Sequence, residues 1–134
     1  MSTDLSFAVT YQYPDRPDGI TIPLLLRAGG AVLQASAKVD TGSECCIFSH
    51  ELGVKLGLEI ERGLYKPMGS LTGTLETYGH EVVLQTFGIA FESVVYFAKY
   101  PGLRRNLLGR EGWLRHLQLA IIDYENTLHL SQYS

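Results

Sequence analysis

Cysteine is nearly absent from this chain. Its 134 residues hold two, Cys45 and Cys46, side by side. Adjacent cysteines close only a strained ring, so no disulfide framework is expected, and two free thiols fit a reducing compartment. His50 follows closely, yet zinc wants four ligands in spaced pairs and no second pair is visible, so no metal is expected. Basic charge is also short: 11 Lys and Arg stand against 14 Asp and Glu, a net charge of -3. That leaves no basic stripe to grip nucleic acid or an anionic membrane. Long apolar runs are missing, and stretches such as Ile20 to Leu26 are too short to span a bilayer. Met1 to Asp4 carries no basic segment followed by an apolar run, so no secretory signal is expected and a cytoplasmic location is. Linkers, low-complexity stretches and charge blocks are absent as well. What remains is a chain with 46% apolar and 19% charged residues, expected to fold as one domain over residues 1–134.

The pattern along that chain is mostly extended. Phe7, Val9, Tyr11 and Tyr13 alternate with mostly polar residues, and a turn cluster of Pro14, Asp15, Pro17, Asp18 and Gly19 follows. Ile20 to Arg27 reads as a strand in which Pro23 suits an edge or a bulge. After Gly29-Gly30, the odd positions from Ala31 to Val39 are all apolar, the clearest two-residue period in the chain. A short helix is expected after an N-cap at Ser49, carrying Leu52 and Leu56 on one face and closing at Gly57. Strands are expected at Thr74 to Tyr78, at Glu81 to Thr86 and through Ile89 to Tyr100. A second short helix is expected from Glu111 to about Gln118, burying Trp113, Leu114 and Leu117. Leu119 to Tyr124 and Thr127 to Ser131 read as a closing hairpin around Glu125-Asn126. Many short strands and one or two short helices make a mainly-β, barrel-like fold.

One motif stands at the end of the best strand: Asp40-Thr41-Gly42-Ser43, preceded by Ala37 and Val39 and followed by the apolar Cys45 to Phe48. Asp-Thr-Gly alone is a weak signal, because Asp and Gly belong in turns anyway. Its layout of apolar strand, glycine turn and helix recurs at Leu107-Leu108-Gly109-Arg110. Together, and with a glycine-punctuated span between them, the two motifs resemble the retropepsin-type aspartic proteases. The resemblance covers roughly Ala31 to Leu130.

The resemblance implies a closed acid-protease-like β-barrel that forms half of a site and dimerises. This chain has a single Asp-Thr-Gly, so the two carboxylates would be Asp40 of each subunit in a homodimer. Two carboxylates held together share one proton, one acting as base toward water and the other assisting the scissile carbonyl. Thr41 would lock the two loops across the axis, and Gly42 would leave room for backbone and substrate. Ser43 stands where retroviral enzymes carry alanine and matches the pepsin side. Glu44 and Arg110 are expected to pair and brace the loop. Lys66 to Tyr78 would be the flap, with Gly69, Ser70, Leu71, Thr72 and Gly73 at its tip, closing over substrate. An extended peptide or protein substrate would lie between flap and Asp40, in pockets lined by residues such as Ile47 and Leu107. Leu5 to Tyr13 and Thr127 to Tyr133 would build part of the dimer interface. No metal or organic cofactor is implied. Two other readings stay open: a catalytically silent dimer of the same fold that binds an extended peptide or partner protein, and a turn in an unrelated barrel.

Overall fold

The computed structural model describes residues 5–133. Among them the strands are β1 (Val9–Gln12), β2 (Thr21–Ala28), β3 (Ala31–Val39), β4 (Ile47–Phe48), β5 (Leu64–Ser70), β6 (Gly73–Thr86), β7 (Ile89–Ala98), β8 (Leu107–Leu108), β9 (Leu117–Ile122) and β10 (Thr127–Gln132). The helix α1 (His50–Lys55) follows β4.

Alternation sets the main sheet. Ile22, Leu24 and Leu26 of β2 and Ala37 and Val39 of β3 turn inward and are buried, and the two strands pair antiparallel from Thr21↔Lys38 to Ala28↔Ala31. The sheet runs β2-β3-β8-β4-β7-β6-β5, and β6 pairs back onto β2 through Leu25↔Gln85, Leu26↔Leu84 and Arg27↔Val83. That pairing joins the two ends of β2-β3-β8-β4-β7-β6 into a ring, with β5 as an extension beyond it. Pro23 lies outside the β2–β6 ladder, so its missing N–H costs no bond on that flank.

The short β8 is central to the site. It pairs parallel to β3 (Lys38↔Leu107, Val39↔Leu108) and antiparallel to β4 (Ile47↔Leu107). β10 pairs with both β1 and β9 in a separate three-stranded sheet, so the two terminal segments lie against each other within the chain. Tyr11 of β1 meets Phe87 at 4.7 Å between ring centroids, tying this sheet to the turn between β6 and β7. The shared core includes Leu24, Phe48, Leu84, Phe97, Leu108, Trp113, Leu128 and Leu130.

α1 begins and ends as its sequence indicates. Ser49 Oγ accepts from Leu52 N at 3.2 Å, and Gly57 follows the C-cap Leu56 with φ +81°. Two expectations are corrected. The expected strands at Thr74–Tyr78 and Glu81–Thr86 are one continuous strand, β6, because Gly79 and His80 keep their place in the ladder opposite Tyr96 and Val95. The helix expected from Glu111 to about Gln118 is only a 3-10 turn, Leu114–His116, and Leu117 already belongs to β9. Gly112 sits at φ +96° and Trp113 is also non-helical, so no α-helix can start there. Trp113 still fills the core, fully buried, with its indole N–H donating to Thr86 Oγ1 at 3.2 Å. Among the described residues no helix is long and apolar enough to cross a membrane.

Candidate active site

β3 delivers Asp40 to the surface at the point where the strand leaves its ladder. Asp40 N donates to Leu108 O at 2.9 Å, so β8 sets the height of the loop. The loop then turns on itself, with Ser43 N donating to Asp40 O at 3.1 Å. Gly42 N donates to Asp40 Oδ1 at 3.0 Å, which orients the half-buried carboxylate. Thr41 and Gly42 are exposed. Ser43 Oγ donates to Cys45 O at 2.8 Å, closing the far side of the turn.

The second motif is stitched to the first through backbone. Arg110 N donates to Ser43 O at 2.9 Å and Glu111 N to Glu44 O at 2.7 Å. Gly109 makes this approach possible, since a Cβ there would lie 2.2 Å from Cys45 O and 2.7 Å from Ser43 O. Asp40, Thr41, Gly42, Ser43, Glu44, Leu107 and Arg110 are therefore brought together. Ile47 pairs with Leu107 across β4 and β8 and is buried.

The expected Glu44–Arg110 ion pair is not formed. Glu44 Oε1 instead takes Lys66 Nζ at 2.9 Å. The two chain segments already meet through their main chains, and the strand beside Glu44 offers an ammonium. Glu44 raises the Lys66 pKa above its ordinary value by hydrogen bonding to the charged form. Lys66 Nζ also stands 5.5 Å from the centre of the Tyr96 ring. Lys66 sits on β5, so this contact links the Asp40 loop to the base of the β5–β6 hairpin.

That hairpin contains the expected flap segment. Its ladder runs from Leu64↔Gly79 to Ser70↔Gly73, leaving Leu71 and Thr72 as the tip. Leu71 is fully exposed there, and Gly69 and Gly73 are exposed beside it.

Three residues have roles here that no motif indicated. Asn106 accepts from Ser49 N and donates to Ser36 O, both at 2.9 Å, joining α1, β3 and the approach to β8. Cys46 Sγ lies 3.4 Å from its donor Gly109 N and 3.5 Å from its acceptor Glu111 O. Lys66 is the third. Each partner lies far away in sequence, so local pattern carries no trace of it. Burial pushes the Cys46 thiol up to about 12 and raises Cys45 as well. His50 Nδ1 hydrogen-bonds Ala98 O at 3.3 Å. Both cysteines are thus buried, and the Lys66 ammonium beside Cys45 offsets only part of what burial does to that thiol.

No family model and no curated protein matches the chain. Solved structures do. A retropepsin-like aspartic protease from Rickettsia conorii matches with a TM-score of 0.68 at 17% identity, over 92% of this chain and 97% of that one. EIAV protease complexed with the inhibitor HBY-793 matches with a TM-score of 0.54 at 22% identity, over 76% of this chain and 88% of that one. At such identities the likeness is one of fold, and the mainly-β acid-protease architecture implied by the two motifs is the one observed.

Proposed function

We propose that this chain, which carries the fold of retropepsin-like aspartic proteases, is an aspartic endopeptidase that works as a homodimer. The observation that carries the reading is Asp40 itself: a half-buried carboxylate, oriented by Gly42 N, on a loop pinned to β8. One such carboxylate is half of the machinery. A two-fold partner supplies the second Asp40, and Thr41 of each loop stands at the axis.

Two carboxylates brought face to face do not both ionise, which is the known behaviour of aspartic proteases as a class. The ionised Asp40 takes a proton from water as the oxygen attacks the scissile carbonyl carbon. The protonated Asp40 gives its proton to the carbonyl oxygen, leaving a gem-diol. A proton then passes to the amide nitrogen, the C–N bond breaks, and a carboxylic acid and an amine leave. The pair titrates as a unit.

The peptide lies extended, bonding its backbone to strand edges beside Ser43 and Leu107. Gly69, Ser70, Leu71, Thr72 and Gly73 cover it, with the exposed Leu71 as the apolar contact at the tip. β1 and β9 are the edges of the terminal sheet and offer strand pairing to the second subunit.

The test is cleavage of a diverse peptide library from acid to neutral pH, read by mass spectrometry, beside Asp40→Asn. Cleavage by the parent alone is expected. Failure of a demonstrably dimeric parent to cut any peptide would leave a groove that binds extended chains without hydrolysing them.

A further inference from the structure

A cavity of about 260 Å³ lies between the turn after β1, the end of β3 and the segment leading into β8. Arg16, Lys38, Arg104 and Arg105 line it, opposed by one carboxylate, Asp18. In a chain of net charge -3 with 11 Lys and Arg, four cations in one small cavity is a marked concentration. Arg105 is occupied: its Nη2 lies 3.5 Å from Asp18 Oδ2 and its Nη1 donates to Asp18 O at 3.2 Å. Arg16, Lys38 and Arg104 form no ion pair among the described residues. Like charges gathered without partners repel, and an anion among them relieves the repulsion. The arginine fork matches a carboxylate in two parallel hydrogen bonds.

Position gives the cavity its meaning. Ala37 and Val39 are buried, whereas Lys38 and Asp40 are half-buried. Strand alternation therefore sends Lys38 and Asp40 to the same side of the chain, with Cα atoms about 7 Å apart. The opposite wall is also shared with the site: Arg104 and Arg105 run directly into Asn106 and Leu107. Asn106 holds that wall to β3, donating to Ser36 O and accepting from Lys38 N at 2.8 Å through its own carbonyl. The cavity thus lies against the end of the strand that carries Asp40 and against the segment leading into β8, to which Asp40 N is bonded at Leu108 O.

We propose that this cavity is an anion-selective subsite that receives an Asp or Glu side chain of a peptide bound beside Asp40. The proposal rests on the groove described above and names its substrate class: chains with an acidic residue close to the scissile bond.

The test uses the Asp40→Asn protein, so that binding is read without cleavage. Labelled peptides differing only by Glu or Gln, scanned through each position, are compared by fluorescence anisotropy at fixed ionic strength. Glu at one position is expected to tighten binding by about tenfold or more. Arg104→Ala combined with Lys38→Met should bring the Glu peptide down to the affinity of its Gln twin and leave the Gln peptide unchanged. Arg16→Ala, at an exposed turn position, is a second variant with the same expected direction. Equal affinities for Glu and Gln at every position overturn the proposal and leave the groove standing. A Glu preference that survives these substitutions overturns the assignment to this cavity. A dimer that binds no peptide overturns the groove and the proposal together.

Discussion

Glu44 reaches across to Lys66, its Oε1 lying 2.9 Å from the ammonium, while Arg110 meets the same loop only through its backbone N–H to Ser43 O. The Asp40 loop is therefore tied on one side to β8 by main chain and on the other to the β5–β6 hairpin by a charge pair. The first tie is made of backbone hydrogen bonds. The second is partly exposed, with Glu44 73% and Lys66 31% accessible.

This difference predicts unequal effects. Lys66→Met should cost less than about 1 kcal/mol in urea unfolding, because exposed ion pairs contribute little. Its effect should fall on KM more than on kcat, as the hairpin loses its link to the loop. Arg110→Ala should leave stability within about 0.5 kcal/mol of the parent. A larger loss for Arg110 than for Lys66 would restore Arg110 as the brace.

Gly109→Ala should be far more damaging. The new methyl would stand 2.2 Å from Cys45 O, and its three nearest neighbours are all backbone atoms. Separating the two motif loops breaks the Arg110 N–Ser43 O and Glu111 N–Glu44 O bonds, for a loss of about 3 kcal/mol or more. Thermal unfolding measures this. A midpoint unchanged from the parent would contradict the close approach described here.

Tyr13 supplies a pH signature. It is buried, its hydroxyl donates to Asp123, and burial followed by that carboxylate pushes its pKa up to about 12 from 10.0. A raised value means that the neutral phenol is favoured in the folded state. The stabilisation is complete below pH 10.0 and is lost as pH rises toward about 12. Tyr13→Phe should cost about 1–2 kcal/mol at neutral pH. The gap between parent and variant should close across that alkaline window, as read by denaturant unfolding at each pH. A gap that stays constant would show that the hydroxyl does not titrate with folding.

The cysteines should be silent in the folded protein. Both are buried, and burial disfavours each thiolate. Reaction with a thiol-specific disulfide reagent at neutral pH should be at least about a hundredfold slower than in denaturant. Rapid modification of native protein would mean that the β4 region opens more readily than its packing indicates.

Local pattern carried much of this fold. The odd-numbered apolar residues of Ala31–Val39 are a strand with the same bounds in the structure. Ser49 caps α1, and Gly57 lies just past its end, as their residue types indicate. These features depend on neighbours a few residues apart, and side-chain alternation or capping chemistry is legible at that range. The stretch from Glu111 to about Gln118 was misleading for the same reason. Its apolar spacing is helical, and only the packing of Gly112 against Ser93 and Val94 requires a backbone that no helix adopts.

Residue order alone establishes that Asp40-Thr41-Gly42 follows an apolar alternation and that Leu107-Leu108-Gly109 repeats the layout. It also establishes that one chain holds one such aspartate. The tertiary structure decided everything that joins distant segments: Glu44 with Lys66, Asn106 between α1 and β3, and Cys46 beneath Gly109. It also decided that Arg16, Lys38, Arg104 and Arg105 share one cavity. The physical reason is range. Strand period and caps act between near neighbours, whereas which charge meets which across a sheet depends on strand order and register, and those emerge only when the ring of strands closes.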